Sequence, residues 1–239
     1  MITGTGTYAF PGAGAAETET VVTRHGEGHA RLSNHVTHQA NISALHGLGT
    51  DCVLAVTVCG AVDPSVPLGS LIVFDDLHFL ANRLPDGTLC TLYDQPGDRL
   101  RGHWIYETPF AEGLRQVLLE GCRAAGVPAR DSGCYGHVDG PRFNTRAEIR
   151  SLALAGVTAV SQTAGPEAVL CGEAELPYAL LGYATDYANG VKDEATPVEE
   201  LLRLIGASTD VFARVLSAAV GRLAGRTVEA PGIVYRFAP

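Results

Sequence analysis

Two apolar runs decide the fold, VLAVTV at Val53–Val58 and LLGYAT at Leu180–Thr185. Each has the length of a buried strand rather than of a helix, and each contains β-branched residues. The first run is followed by Cys59 and Gly60, and the second is followed by Asp186. Because open α/β sheets bind ligands beyond the carboxyl ends of their strands, these following residues are candidates for a functional site.

Outward from these runs, strand-length segments alternate with segments of helical period. Further strand candidates are Thr20–Thr23, Leu71–Phe74 and Thr158–Ser161. The helix signals are a T-x-x-E capping box at Thr145 and Glu148, a start at Thr196 and Pro197, an apolar stripe from Thr108 to Gly126, and the segment Val36–Leu45. A stretch rich in Asp, Pro and Gly, residues 81–103, predicts a long excursion from the sheet. The alternation predicts an α/β sandwich with a largely parallel sheet.

Composition limits the size and the partners of the protein. The 239 residues are 46% hydrophobic, which suits one core and predicts a single domain over residues 1–239. With 17 basic and 26 acidic side chains the net charge is −9, which argues against nucleic acid and anionic membranes as partners but not against one small, locally held anion. No apolar stretch is long enough to span a membrane and no leader follows Met1, so we expect a soluble, cytoplasmic protein.

The cysteine pattern does not predict a metal site. No CxxC pair occurs, and Cys134 with His137 is the one cysteine–histidine pair three residues apart, which is too few ligands for a four-coordinate site. We therefore expect reduced, mostly buried thiols and no bound metal. The six cysteines are Cys52, Cys59, Cys90, Cys122, Cys134 and Cys171.

Several strand ends suit an anion. The segment Gly4–Thr7 could turn backbone N–H groups toward one, or be a flexible terminus. Arg24 and His25 suit a phosphate or carboxylate clamp with Arg24 as the bidentate partner, or an exposed loop. The segment Thr57–Gly60, where a strand runs into a tight turn, is better explained as a buried strand end unless the other candidate sites converge there.

Other strand ends suit an organic ligand. Phe143, directly before the capped helix, could stack on a planar group or pack in the core. Gln162 and Thr163 follow one strand and Asp186 follows the next. An acid at the end of an apolar strand is desolvated and could keep its proton for a leaving group, or it could simply cap a turn.

Five longer strings occur in one order along the chain: RHGEGH at Arg24–His29, HQANISAL at His38–Leu45, HVDGPRFNTRAEI at His137–Ile149, QTAGPEAVL at Gln162–Leu170 and YATDYANG at Tyr183–Gly190. In this ordered set the sequence resembles the methylthioadenosine phosphorylase branch of the trimeric purine nucleoside phosphorylases. The resemblance implies a single-domain three-layer sandwich with a central mixed, partly barrel-like sheet flanked by helices, and a homotrimer or dimer of trimers. It also implies phosphorolysis of a purine nucleoside, with inorganic phosphate as co-substrate and no cofactor.

The resemblance gives each candidate residue a role. Asp186 would support departure of the base at the purine N7. An apolar 5′ pocket would favour a 5′-deoxy or 5′-alkylthio adenosine such as 5′-methylthioadenosine, because an unpaired hydroxyl there costs about 1–3 kcal/mol. The implied phosphate residues are Thr5, Arg24, His25, Thr57, Val58 and Thr163; the base and ribose residues are Phe143, Gln162, Cys59 and Gly60; and the 5′ residues are Val198, Leu201, Leu202 and, from a neighbouring subunit, His103.

The chain also departs from the family pattern. Ala188 stands where adenine-specific members carry a second Asp, whereas members acting on 6-oxopurines carry Asn at the position of Asp186. Gln162 replaces a Met beneath the ribose, and the segment between Gly6 and Arg24 is short, beside the expected phosphate site. Three alternatives therefore remain: a 6-oxopurine nucleoside phosphorylase, a phosphate-independent nucleosidase, and a non-catalytic purine-binding subunit.

Overall fold

The computed structural model describes residues 1–5 and 19–237. The predicted Gly6 and Thr7 of the anion turn lie outside the described residues. The strands are β1 (Ile2–Thr3), β2 (Val22–Thr23), β3 (Val53–Ala61), β4 (Leu71–Val73), β5 (Asp76–His78), β6 (Gly102–Ile105), β7 (Ala129–Arg130), β8 (Cys134–His137), β9 (Val157–Ser161), β10 (Tyr178–Tyr187) and β11 (Ile233–Arg236). The helices are α1 (His38–Gly47), α2 (Glu112–Ala124), α3 (Arg146–Leu154), α4 (Ala164–Glu173) and α5 (Val198–Val220).

The two apolar runs form adjacent parallel strands at the centre of the sheet. β3 and β10 pair in register from Val53 with Tyr178 to Ala61 with Tyr187. Because side chains alternate between the two faces of a strand, each strand contributes to two cores. Ala55 and Leu180 pack on one side with α1 and α4, while Val56 packs on the other side with α2 and α5.

The sheet is mixed and curved, which confirms the predicted fold class. Its strand order is β5-β8-β9-β3-β10-β4-β7, and β1 joins β2 to β3. β3 pairs in parallel with β1 near its start, at Ala55, and antiparallel with β9 at its end, at Gly60 and Ala61. The long strand β3 thus pairs with β1 at its start and with β9 at its end. This change of partner lets the sheet curl into a half-barrel. Its concave end collects the residues that follow β3, β9 and β10.

Four of the five helices agree with their sequence signals. The capping box of α3 is present, with the Thr145 hydroxyl accepting from the Glu148 amide and the Glu148 carboxylate accepting from the Thr145 amide. α5 begins after Pro197, but the Thr196 hydroxyl accepts from the Tyr187 amide of β10 instead of capping the helix. α4 was not predicted, because Gly165 and Pro166 in its first turn obscure the helical period.

The excursion at residues 81–103 contributes no strand to the main sheet. Its end enters β6, which forms a separate two-stranded ribbon with β11. This ribbon exposes large side chains, among them Ile105, Ile233 and Tyr235. Among the described residues, no helix combines the length and the apolar character needed to cross a membrane.

Candidate active site

A cleft of about 280 Å³ opens at the carboxyl ends of β3, β9 and β10. It brings together most of the predicted site residues, from segments far apart in the chain. Those that line it are Thr5, Arg24, His25, Thr57, Val58, Cys59, Gly60, Phe143, Gln162, Thr163, Asp186 and Leu201. The lining also includes residues to which the sequence analysis assigned no role, notably His29, Ser33, Asn144, Ser161, Asn189 and Ile205.

Three predicted 5′ residues do not line the cleft of their own chain. His103 lies on the β6–β11 ribbon, exposed, with its ring against Phe237. Val198 and Leu202 lie on α5 and are 68% and 61% exposed. Leu201 and Ile205 provide the apolar wall of α5 instead. Within one chain, therefore, only one of the four predicted 5′ residues contributes to the cleft.

Arg24 is held by a buried carboxylate. The guanidinium donates from Nε and Nη2 to the two carboxylate oxygens of Glu167, the second contact at 2.7 Å, and from Nη1 to the Val56 carbonyl at 3.1 Å. Both side chains are 1% exposed. The Tyr178 hydroxyl donates to the same carboxylate at 3.0 Å. The bidentate face of Arg24, which the sequence assigned to a bound anion, is thus occupied by Glu167.

The electrostatics of this pair keep both groups charged. Burial alone would lower the pKa of Arg24, but the Glu167 carboxylate raises it overall. Burial alone would raise the pKa of Glu167, but Arg24 holds it below its usual value. A Cβ added at Gly4 would lie 2.5 Å from Nη1 of Arg24, so only glycine leaves room for the guanidinium there. These contacts therefore hold the guanidinium of Arg24 in one position. Its remaining N–H groups are available at the cleft.

His25 is a neutral imidazole in the cleft. Its Nδ1 lies 2.8 Å from the Arg31 carbonyl oxygen, which can only accept, so Nδ1 carries the proton. Burial and the positive charge of Arg24 lower the pKa of His25 to about 4. The ring stacks on His29 at 4.2 Å between centroids. Nε2 is consequently a hydrogen-bond acceptor, suited to a protonated phosphate oxygen or to a water molecule.

Hydroxyls line the wall between these groups. The Thr57 and Ser161 hydroxyl oxygens are 3.2 Å apart, and that of Thr57 also donates to the Val58 carbonyl at 2.9 Å. The amides of Thr163 and Ala164 donate to the Tyr135 hydroxyl, at 3.4 and 3.1 Å. Ser161 joins these hydroxyl groups in the cleft wall, although the sequence offered no sign of it beyond its place at a strand end.

Asp186 lies at a β-bulge. The register of β10 against β3 shifts between Ala184 and Asp186, which places Asp186 opposite Gly60. Bulges re-aim side chains, and this one turns the carboxyl group into the cleft. Burial raises the pKa of Asp186, although the Thr185 hydroxyl, donating at 2.9 Å, opposes the rise. The pKa of the Asp186 carboxyl group is thus raised, which is the direction expected for a desolvated acid at the end of an apolar strand.

Gln162 forms hydrogen bonds to two loops, one containing Ser33 and the other containing Arg142. Its Oε1 accepts from the Ser33 hydroxyl and its Nε2 donates to the Arg142 carbonyl, each at 3.0 Å. A Cβ at Gly140 would overlap both Gln162 and Ser33, so a glycine is needed beside this contact. Phe143 lies on the adjacent rim with its ring 62% exposed. An exposed ring at the mouth of a cleft can stack on a planar ligand.

A metal has no evident place in this site. Within residues 1–5 and 19–237, no group of three or more His, Cys, Asp or Glu side chains is arranged to hold a metal ion. Burial and the nearby Asp186 raise the pKa of the Cys59 thiol, so this cleft cysteine stays protonated. The chemistry available here comes from hydrogen-bond donors, one neutral imidazole and one desolvated acid.

Comparison with known proteins shows the family to which this chain is related. The family model of the phosphorylase superfamily matches residues 5–221. The chain is 29% identical over 245 residues to the 6-oxopurine nucleoside phosphorylase of Pyrococcus furiosus, with 92% of this chain and 91% of that protein covered. It is 30% identical over 207 residues to the S-methyl-5′-thioadenosine phosphorylase of Drosophila melanogaster, with 85% and 70% covered.

A solved structure of a related enzyme shows that the similarity also holds for the fold. A mutant of the adenosine/methylthioadenosine phosphorylase of Schistosoma mansoni, in complex with methylthioadenosine, superposes with a TM-score of 0.77 at 26% identity. The alignment covers 94% of this chain and 91% of that one. Together the matches confirm the resemblance carried by the ordered motifs.

Behind the cleft, the buried His38 predicts how the free energy of unfolding depends on pH. It is 2% exposed, its Nδ1 lies 3.8 Å from Glu167 Oε1, and neither ring nitrogen has a hydrogen-bond partner among the described residues. Burial lowers the pKa of His38 to about 4. An unfolded chain takes up this proton near pH 6.5, so between these values the unfolded state binds more protons and the free energy of unfolding falls as pH falls.

We expect His38→Asn to reduce the pH slope of stability near pH 5 by close to one proton, about 1.4 kcal/mol per pH unit. Urea denaturation at closely spaced pH values measures this slope. The control His46→Asn changes an exposed histidine of the same helix and should reproduce the wild-type slope. An unchanged slope in His38→Asn would show that His38 titrates alike in both states.

Proposed function

The chain belongs to the phosphorylase superfamily, and from this we propose that it cleaves a purine nucleoside by phosphorolysis. Inorganic phosphate displaces the base from the anomeric carbon, which yields the free purine and a sugar 1-phosphate. The observation that carries the proposal is the convergence of a fixed cation, a neutral imidazole and a desolvated acid in one cleft. We propose in addition that residues 1–239 act as one domain, in the cytoplasm.

The length of the cleft supports two reactant sites. Thr57 and Gly60 are three residues apart on β3, which separates them by roughly 10 Å. Thr57 lies with the anion-facing hydroxyls, and Gly60 lies opposite Asp186. This separation suits a phosphate at one end, a ribose between, and a base at the other end. Holding the two reactants in one orientation is the main source of rate in such a displacement.

Phosphate would be held by hydrogen bonds rather than by a bidentate arginine fork. Arg24 provides its remaining N–H groups, and His25 Nε2 accepts the proton of a hydrogen phosphate. The other proposed phosphate residues are Thr5, Thr57, Thr163 and the backbone amide of Val58. These groups orient the attacking oxygen without forming a covalent intermediate.

Asp186 in its protonated form suits adenine. Its hydroxyl can donate to the purine N7, and its carbonyl oxygen can accept from the 6-amino group. A 6-oxopurine offers acceptors at both positions, so a single carboxylic acid matches it less well. This pairing needs no second acid, and it is consistent with Ala188 at the position where adenine-specific relatives carry an Asp. Phe143, Gln162, Cys59 and Gly60 would complete the base and ribose contacts.

The 5′ side requires a neighbouring chain in this proposal. Leu201 offers an apolar surface in the cleft, which suits a 5′-alkylthio group, while Val198 and Leu202 next to it are exposed. The β6–β11 ribbon exposes His103 together with large apolar side chains. We infer a trimer in which His103 of each chain completes the 5′ pocket of the next.

The reaction is tested by incubating the protein with 5′-methylthioadenosine or inosine, with and without phosphate. We expect adenine release from methylthioadenosine that requires phosphate and yields one sugar 1-phosphate per base, because the Arg24 and His25 side of the cleft binds the nucleophile. Chromatography identifies the products. Base release without phosphate would replace phosphorolysis by hydrolysis, with His25 Nε2 accepting from water, and tight binding without turnover would favour a purine-binding subunit.

The acid is tested by Asp186→Asn, which keeps a donor and an acceptor for the Hoogsteen edge but cannot transfer a proton. We expect kcat for methylthioadenosine to fall about 100-fold with KM within about threefold, and Asp186→Ala to impair both. Wild-type kcat should fall as pH rises and the acid ionises, and this alkaline limb should vanish in Asp186→Asn. The control is Asp210→Asn, an exposed acid of α5. Turnover of Asp186→Asn within a few-fold of wild type would remove the proton-donor role.

The trimer is tested by complementation. His103→Ala and Asp186→Ala chains should each be inactive or impaired alone, yet regain activity when co-expressed, because a mixed trimer contains a site with an intact acid and an intact neighbouring His103. Sedimentation velocity should give three times the chain mass of 25.0 kDa for each variant. A monomeric protein, or trimers without recovered activity, would contradict the shared site.

A further inference from the structure

A second cavity adjoins the base end of the cleft. It has a volume of about 360 Å³ and lies between the end of β3, helix α3 and the segment after β10. Ile149 and Asn189 line both this cavity and the active-site cleft, so the two spaces meet at these side chains. Asn189 is three residues beyond Asp186, which places the junction on the side of the proposed base.

Three cations line this cavity, which we term the cationic annex: Arg146, Arg150 and Lys192. Lys192 is the only lysine of the 239 residues. Its ammonium donates to the Pro64 carbonyl at 3.2 Å and lies 4.7 Å from the centroid of the Tyr187 ring. These two contacts hold the ammonium at the cavity wall but do not neutralise it.

The two arginines are exposed, and their guanidinium groups are not paired within the described residues. Neither Arg146 nor Arg150 forms an ion pair or hydrogen bond with another residue of the described ranges. The stem of Arg146 packs on Gly190, where a Cβ would approach its Cγ to 2.9 Å. Asp193 is the one acid of the lining, so three positive charges face one negative charge in a chain with a net charge of −9. Unpaired guanidinium groups beside a cavity favour an oxyanion.

We propose that the cationic annex binds an oxyanion, a carboxylate or phosphate group carried on the amino side of the purine base, and so admits base-modified nucleosides. This inference rests on the proposed function, since the base is placed by Asp186. The annex meets the cleft at Asn189, three residues beyond the acid that would contact the base, so a substituent on the amino side of the base would have a short path into the annex. A free oxyanion has the same chemistry, and the experiment separates the two sources.

The test compares two isosteric probes by calorimetry, N6-(carboxymethyl)adenine and its neutral counterpart N6-(carboxamidomethyl)adenine, with adenine as the reference. We expect the acid to bind about tenfold more tightly than the amide in wild type. The preference should disappear in Arg150→Gln and Lys192→Gln, while all three proteins bind adenine and turn over methylthioadenosine alike. Arg123→Gln, an exposed arginine of α2, is the matched control and should keep the preference.

Equal binding of acid and amide in wild type, or a preference that survives in the Arg150→Gln/Lys192→Gln double variant, would overturn the base-linked site. Failure of adenine itself to bind would overturn the proposed adenine preference and this inference together, whereas phosphorolysis is tested separately by the release of base from methylthioadenosine or inosine. In a second arm, equilibrium dialysis counts inorganic phosphate bound per chain. A second phosphate that is lost in Lys192→Gln, without any preference for the acid probe, would replace the base-linked oxyanion by a free one.

Discussion

The buried ion pair between Arg24 and Glu167 is the constraint on which the site depends. It joins the end of β2 to α4, and through Tyr178 and the Val56 carbonyl it also reaches β10 and β3. A buried charge without a partner costs several kcal/mol, so neither group is tolerated without the other. Four elements that arrive from distant parts of the chain must therefore close around one guanidinium before the cleft can exist.

The same burial sets the protonation of the groups around this pair. The charge of Arg24 and the loss of solvent keep His25 neutral, while desolvation biases Asp186 toward its acid form. One end of the cleft thereby offers a hydrogen-bond acceptor at His25 Nε2, and the other end offers a carboxyl group with a raised pKa. Desolvation accounts for both, since it penalises the charged form of each side chain. In a polar, open cleft the same carboxyl group would be ionised at neutral pH, and the imidazole would take up a proton near pH 6.5.

Much of the fold and of the cleft was predictable because both follow from local pattern. The runs at Val53–Val58 and Leu180–Thr185 alternate between two cores, and residues just after such strands collect at one edge of a sheet. The partner of Arg24 was not predictable, because Glu167 is 143 positions away and lies on α4, a helix obscured by Gly165 and Pro166. The same limit applies to the annex, where Lys192 meets Arg146 and Arg150 only through the fold.

An acidic chain can bind anions by two different physical means, and the two sites proposed for this protein differ in which one they would use. In the cleft the charge of Arg24 is cancelled by Glu167, so an anion there is held by oriented donors and acceptors, and discrimination depends on fit. In the annex, exposed guanidinium groups keep their charge, so an oxyanion there is attracted with little constraint on shape. The neutralised pair of Arg24 and Glu167 suits a co-substrate whose attacking oxygen must be aligned within the site. The unpaired cations of the annex suit a substituent of the base that takes no part in the reaction, because no bond to it is made or broken.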